Sequence, residues 1–551
     1  MLLLVFKLIT SALVLSLASG LFIFRPVDAF EHWPAEDPRR RTIARIFTAH
    51  RLPKYAAFGV IWLAGIVSVF MLPLCNNSPL RVGASILLIA GLWCEMAALM
   101  VFGTRASPTA AKTIVDNARY GITTGVGGVY LRRMSIPLAM FALAAIAFAM
   151  PASLPGTWGT VADHISIVTT TLAAVGSILI AWETKGGTTS FPPPYRLLAC
   201  AASLCVTPSR SPPVPVDHDI PTSNRFRKIL LIVDESVRGD QLSLNGHAVD
   251  TTPFLRSVSE IIVNFGSATS ASNSSVPSRE VLRFCIPQQR LHEQWEVLTG
   301  STSIWQFAQR AGFKTVHLDG FGTAELLSSG MEASERVHID ERYTFEQHDQ
   351  SVRDHEIAKA LIEILHRDEK LFIFVEKVGT HVPYDRMYPV TENVFEAERS
   401  LRFNLRHRDQ FLKQYWNALR WSVDGFFATV LAKPLPHSTV IIYTSDHGQS
   451  LGERGTLTSH SSSDPSQVGE LDVPLLVICS DKQELLRLSS ASDAARRRQS
   501  HFSITPSLLE YLGYDAGYVR SQFGPSLADP PPDERLALFG GRIIAVGEQP
   551  N

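Results

Sequence analysis

Five apolar runs crowd into the first third of the chain, at Leu2–Phe24, Ala56–Cys75, Val82–Phe102, Ile136–Leu154 and Ile165–Trp182. Each approaches the ~20 residues an α-helix needs to cross a bilayer, where every backbone polar group has to be satisfied within its own segment. The first run also has the make-up of a signal peptide, but the four that follow predict a polytopic α-helical membrane domain of about five helices over residues 1–183. Glu95 lies inside one run, and an acid at that depth marks either a functional site or a pairing between helices. A formal net charge of −1 provides no basic field for nucleic acid, so none is expected as a partner.

Residues 184–227 read as a linker, because Pro192, Pro193, Pro194, Pro212, Pro213, Pro215 and Pro221 deny the backbone regular hydrogen bonding. From residue 228 the pattern changes to short buried strands (228–233, 315–318, 371–375, 439–443, 474–478) alternating with helical periodicity (303–311, 352–366, 411–432, 505–512). That alternation predicts an α/β domain over 228–551, with a mostly parallel central sheet and helices on both faces. Of six cysteines only Cys285 and Cys479 fall in this domain, and spacing leaves open whether they pair.

Two of these strands end in clusters of chemistry. Ile441 to Ser445 runs into Asp446, His447 and Gly448, and Lys228 to Val233 runs into Asp234, Glu235 and, after two residues, Arg238. Open α/β sheets place their sites at the carboxyl ends of strands. A carboxylate beside an imidazole suits zinc better than calcium or magnesium. The plainer reading is a helix-capping Asp followed by a structural His.

With Ser243-Leu244-Asn245-Gly246 and Ser445 to Glu453 these segments resemble the alkaline-phosphatase superfamily, and within it the membrane-bound phosphoethanolamine transferases. The resemblance implies an alkaline-phosphatase-like catalytic domain and a zinc held by Glu235, Asp446, His447 and a nucleophile. That nucleophile falls at Ser272, five residues before Pro277. His381, in Gly379-Thr380-His381, and His460 correspond to residues that bind the phosphate or a second zinc. It also implies phosphatidylethanolamine as donor, with lipid A, core oligosaccharide or another envelope glycan as acceptor. The protein would be monomeric, in the bacterial inner membrane, with a periplasmic catalytic domain. The basic loops 25–55 and 103–135 argue for a cytoplasmic domain by the positive-inside rule, unless Leu197–Val206 makes a short sixth crossing.

A rival pattern overlaps the same serines. Ser275-Val276-Pro277-Ser278-Arg279 resembles the sulfatase motif whose first residue becomes formylglycine, which would make Ser275 catalytic and the protein a membrane-anchored sulfatase or phosphodiesterase. A third reading is a non-catalytic membrane protein that binds a glycan.

Overall fold

The structure is a computed structural model that describes residues 52–76, 156–183 and 225–547, except 294, 323–330, 332, 400–406, 454–459 and 463–465. It also describes the isolated positions 79, 81–83, 85, 86, 89, 146, 150 and 195. The chain divides into two compact units, Met1–Pro208 and Ser209–Asn551.

In the first unit, helices α1 (Leu52–Met71) and α2 (Thr157–Glu183) pack together. On α2 the apolar Trp158, Val161, Ile165, Val168, Leu172, Val175 and Leu179 are exposed at spacings of three and four, while Ser166, Ala173 and Ser177 are buried. Gly176 allows the close approach, since a Cβ there would meet Ile61 Cδ1 at 2.7 Å. Large residues outward and small ones inward is the arrangement of helices packed in lipid. Among the described residues one stretch, Thr157–Leu179, is long and apolar enough to cross a membrane. It begins eight residues before the run at Ile165, because Asp163 and His164 interrupt the apolar pattern without breaking the helix. Asp163 Oδ1 accepts the Asn76 N–H at 2.5 Å. Tyr195, inside the stretch read as a linker, is buried with Ala64, Val69, Leu72 and Ala173 and shares a hydrogen bond with Ser68 Oγ. The expected span Leu2–Phe24, most of Ile136–Leu154 and of Val82–Phe102, and Glu95 lie outside the described residues.

The second unit is built on a seven-stranded sheet in the order β2-β7-β6-β1-β5-β3-β4. Its strands are β1 (Lys228–Asp234), β2 (Ile262–Thr269), β3 (Lys314–Asp319), β4 (Glu341–Thr344), β5 (Leu371–Glu376), β6 (Thr439–Ser445) and β7 (Asp472–Cys479). Only β7 runs against the others, so the sheet is mostly parallel. A separate hairpin pairs β8 (Arg535–Phe539) with β9 (Arg542–Val546). The helices used below are α3 (Ser275–Arg283), α4 (Ile304–Arg310), α5 (Gln350–Leu365), α6 (Arg408–Leu419), α7 (Phe426–Val430), α8 (Lys482–Ala495) and α9 (Ile504–Tyr511).

Every residue of β1 is buried, as expected for a strand covered on both faces. Ile229, Leu231 and Val233 join one core with residues of α4, α8 and α9, while Leu230 and Ile232 join another with residues of α5, α6 and α7. Helix α4 starts where the sequence signals it: Ser303 and Gln306 form a reciprocal capping box. The single helix expected over 411–432 is instead α6, a π-helical turn at Arg420–Gly425, and α7. Within that wider turn the Ser422 carbonyl accepts from Lys377 Nζ at 2.6 Å. β2 breaks the alternation of a regular strand: its pairing with β7 shifts register between Asn264 and Ser267, around Gly266 at φ +77°. Cys285 and Cys479 are free buried thiols in one core.

Trp305 has no exposed surface and packs on Phe372, Phe374 and His317 with ring centroids 5.5–5.7 Å apart. Trp305→Ala should destabilise the second unit by about 3–5 kcal/mol. Urea denaturation followed by circular dichroism measures this, and a loss under 1 kcal/mol would contradict the packing described.

Candidate active site and metal centre

The site lies at the carboxyl ends of three adjacent strands, β6, β1 and β5. Each is an apolar run that stops at a polar residue, so the side chains just past the sheet edge converge. Glu235 follows β1, Asp446 and His447 follow β6, and one ligand atom from each of the three lies within 4.8 Å of the others, all of them buried. His447 Nδ1 donates to the Gly448 carbonyl at 2.7 Å, which leaves Nε2 facing Glu235 at 3.3 Å and the Ser275 hydroxyl at 3.0 Å. That is the orientation a metal-binding imidazole takes when its other nitrogen is tied to a carbonyl. Asp446 Oδ2 is buried, with Arg279 Nη2 as its charged neighbour at 3.1 Å. Two buried carboxylates and one imidazole, with ligand atoms that converge, fit a divalent metal ion with mixed N/O ligation.

The electrostatics fit as well. Burial opposes the charge of all three groups. Glu235 is nevertheless held well below the carboxylate range by His447 and Arg279, while burial and the Glu235 charge push Asp446 up to about 7. Burial alone would lower His447, but Asp446 and Glu235 carry it up to about 9. Arg279, buried on α3, spans the carboxylates: Nη2 is 2.9 Å from Glu235 and 3.1 Å from Asp446, and Nε is 3.7 Å from Glu376. Its guanidinium also lies 4.8 Å from the centre of the Phe321 ring.

The two candidate serines separate. Ser275 opens α3, and its hydroxyl contacts both His447 and, at 3.4 Å, Glu235. Ser272 does not join the cluster, contrary to the expectation placed on it. Its Oγ accepts the Ser274 N–H at 3.2 Å, and its backbone bridges to Leu538 of β8. The helix start separates the two: Ser275 is the first residue of α3, whose first turn tolerates the missing N–H of Pro277, while Ser272 lies ahead of the helix. His460 lies against His447 with ring centroids 4.2 Å apart, and burial followed by the His447 charge holds it well below its usual range. His381 is half-buried, its Nδ1 donating to the Val382 carbonyl at 2.7 Å, and its charge acts on both Glu235 and His460.

Several residues of the site carry no sequence signal of their own. Lys377 is buried, with Nζ 2.5 Å from Asp234 Oδ2, so the first acid of the Asp234-Glu235 pair is turned into the core and neutralised there. A second buried group of ligand-type side chains, His317, Asp319 and Glu376, is already internally paired: His317 bonds Glu376, and Asp319 accepts from Arg342. Fully buried His501 takes the Ala271 N–H on Nδ1, shares a hydrogen bond with Ser278 Oγ on the same nitrogen, and bonds Thr444 Oγ1 through Nε2, each at 3.2 Å. Only distance in the fold, not spacing in the chain, links these residues to the serine loop.

Burial pushes His501 down to about 3. The imidazole stays neutral in the folded state but takes a proton near 6.5 once unfolded, so between those values the unfolded chain binds the extra proton. Its contribution is complete above pH 6.5 and falls by about 1.4 kcal/mol per pH unit on acidification through that window. Denaturation at pH 6.5 and 5 should therefore show a steeper loss in the wild type than in His501→Gln, and equal slopes would contradict this assignment.

A scan against family models matches the sulfatase family over residues 227–514, more than half of the chain. The chain is 22% identical over 347 residues to phosphoethanolamine transferase EptC of Escherichia coli, covering 60% of this chain and 59% of that protein. It is 23% identical over 319 residues to phosphatidylethanolamine transferase Mcr-1 of Escherichia coli, covering 55% and 56%. The chain thus spans less than two-thirds of the length of these curated relatives. Among solved structures, the integral membrane protein lipooligosaccharide phosphoethanolamine transferase A of Neisseria meningitidis superposes with a TM-score of 0.62 at 16% identity, covering 96% of this chain and 99% of that one. The zinc complex of the periplasmic domain of Escherichia coli EptC superposes with a TM-score of 0.50 at 18% identity, covering 61% and 96%. These likenesses carry the fold, and the family match over the catalytic unit carries the assignment: the chain belongs to the sulfatase family.

Proposed function

We propose that the protein is a zinc-dependent phosphoethanolamine transferase of the bacterial inner membrane, with residues 1–183 as its membrane domain, 184–227 as the connection, and 228–551 as a periplasmic catalytic domain. The observation that carries the reading is the Ser275 hydroxyl, 3.0 Å from His447 Nε2 and 3.4 Å from Glu235, at the N-terminus of a buried helix. The names of the relatives support the transferred group, and the apolar helix α2 supports a donor that stays in the bilayer.

Glu235, Asp446 and His447 would hold the zinc, which on binding lowers the pKa of the serine hydroxyl and offsets charge on the phosphoryl oxygens. Ser275 loses its proton and its oxygen attacks the phosphorus of phosphatidylethanolamine. The bond to the glycerol oxygen breaks, and diacylglycerol leaves with a proton. Phosphoethanolamine remains on Ser275 until an acceptor oxygen of lipid A, core oligosaccharide or another envelope glycan displaces it and restores the serine. The first turn of α3 directs the positive end of its dipole at the phosphoryl group. His381 and His460 hydrogen-bond the transferring oxygens, with His460 kept neutral for that purpose by burial and by His447. Arg279 favours the ionised form of the two ligand carboxylates and holds them in place.

A second reading keeps the same residue. Ser275 is also the first position of Ser-x-Pro-Ser-Arg, so a sulfatase acting through formylglycine would use the same geometry.

Diacylglycerol release from phosphatidylethanolamine in mixed micelles tests the proposal. Ser275→Ala should lower it by about 10³-fold or more, whereas Ser272→Ala should stay within about tenfold. Chelation should abolish release and zinc should restore it. Full activity in Ser275→Ala, or sulfate ester hydrolysis without lipid cleavage, would overturn the reading.

A further inference from the structure

The proposed reaction needs Ser275, on the turn entering α3, and His460, on the loop after β6, to keep one relative position, yet 184 intervening residues separate them in the chain. Among the described residues, the buried side chain of Asn273 joins their loops. Asn273, 1% exposed, donates from Nδ2 to the Ser462 carbonyl at 2.9 Å and to Glu470 Oε2 at 2.7 Å. Its carbonyl accepts the Ser461 N–H at 2.9 Å. On the other side, its N–H donates to the Leu538 carbonyl and its Oδ1 accepts the Gly540 N–H, each at 3.1 Å, which ties the serine turn to the β8–β9 hairpin.

Two further features show that the junction is constrained. Ser461, next to His460, stands at φ +61°, a left-handed conformation that a serine adopts only where its surroundings hold it. The hold is visible: Asn273 takes its N–H, and Ser274 Oγ lies 2.8 Å from its hydroxyl. Glu470 extends the junction to the metal ligands, since its carboxylate accepts the Ser462 N–H at 3.0 Å and its carbonyl accepts the Gly448 N–H at 2.9 Å, one residue beyond His447.

We propose that Asn273 is a positioning residue that sets His460 against the Ser275 hydroxyl, with the β8–β9 hairpin as its anchor. The hydrogen bonds of Asn273 described above go to none of Glu235, Ser275, Asp446 and His447. Asn273 acts through Ser461 and Ser462, which carry the backbone of His460, and through the turn that presents Ser275. An asparagine suits the position because one amide must donate twice and accept once in a dry site. The inference rests on the transferase reading for the roles of Ser275 and His460.

The test is a double-variant cycle on the full-length protein in detergent, with diacylglycerol release from phosphatidylethanolamine as the assay. Asn273→Ala should lower kcat by about 10- to 100-fold, the range for groups that orient a reacting residue, with KM and bound zinc unchanged. Combined with His460→Gln it should be no slower than His460→Gln alone, because the positioning has nothing left to position. A kcat within twofold of wild type, or losses that multiply in the double variant, would overturn the proposal. Should Asn273→Ala fail to fold, the near-isosteric Asn273→Asp carries the same test, since it keeps the acceptor for Gly540 but loses donation to Ser462 and meets the Glu470 carboxylate. Ser275→Ala is measured alongside: its full activity would defeat the assignment of Ser275 as nucleophile, and absence of diacylglycerol release from the wild type would defeat the transferase reading, whereas additivity between positions 273 and 460 defeats only the positioning role.

Discussion

Buried charge at one edge of a parallel sheet is the constraint on which this structure turns. Asp234, Glu235, Glu376 and Asp446 all lie in the interior at the ends of β1, β5 and β6, where ionised carboxylates without partners would cost several kcal/mol each. Two cations make the arrangement tenable. Lys377 neutralises Asp234 below the site, and Arg279 spans Glu235, Asp446 and Glu376 within it. The division leaves Glu235, Asp446 and His447 able to face a common point, which is the requirement for holding a metal ion.

The rest of the catalytic unit follows from that division. Helix α3 has to bring Arg279 into the carboxylates, and one turn earlier the same helix presents Ser275 to His447 and Glu235. Lys377 is received by the widened turn between α6 and α7, whose Ser422 carbonyl it binds. The hairpin β8–β9, outside the main sheet, closes over the loop ahead of α3 and completes its backbone hydrogen bonds. A site at the carboxyl edge of a sheet is thus supported from below by a lysine, from the side by a helix, and from above by the hairpin.

Much of this was legible in the chain itself. The strands β1 and β6 announce themselves as unbroken apolar runs, and the residues that end them, Glu235, Asp446 and His447, do come together. Ser275 was legible too, as the first residue of the Ser-x-Pro-Ser-Arg pattern, and it is this serine, rather than Ser272, whose hydroxyl meets His447 and Glu235. Other features were hidden for physical reasons. β2 carries a glycine bulge and weak strand formers, and the break between α6 and α7 sits inside a continuous helical pattern. Asn273, Lys377 and His501 matter through partners from 45 to 267 residues away, which no local pattern encodes.

The central claim is that the Ser275 hydroxyl accepts the phosphoryl group. Mass spectrometry of the tryptic peptide Ser257–Arg279, from protein purified out of membranes containing phosphatidylethanolamine, addresses it directly, because that peptide carries both serines. A phosphoethanolamine adduct on Ser275, retained in Ser272→Ala and absent from Ser275→Ala, is the predicted result. An adduct on Ser272, or formylglycine at position 275, would contradict it.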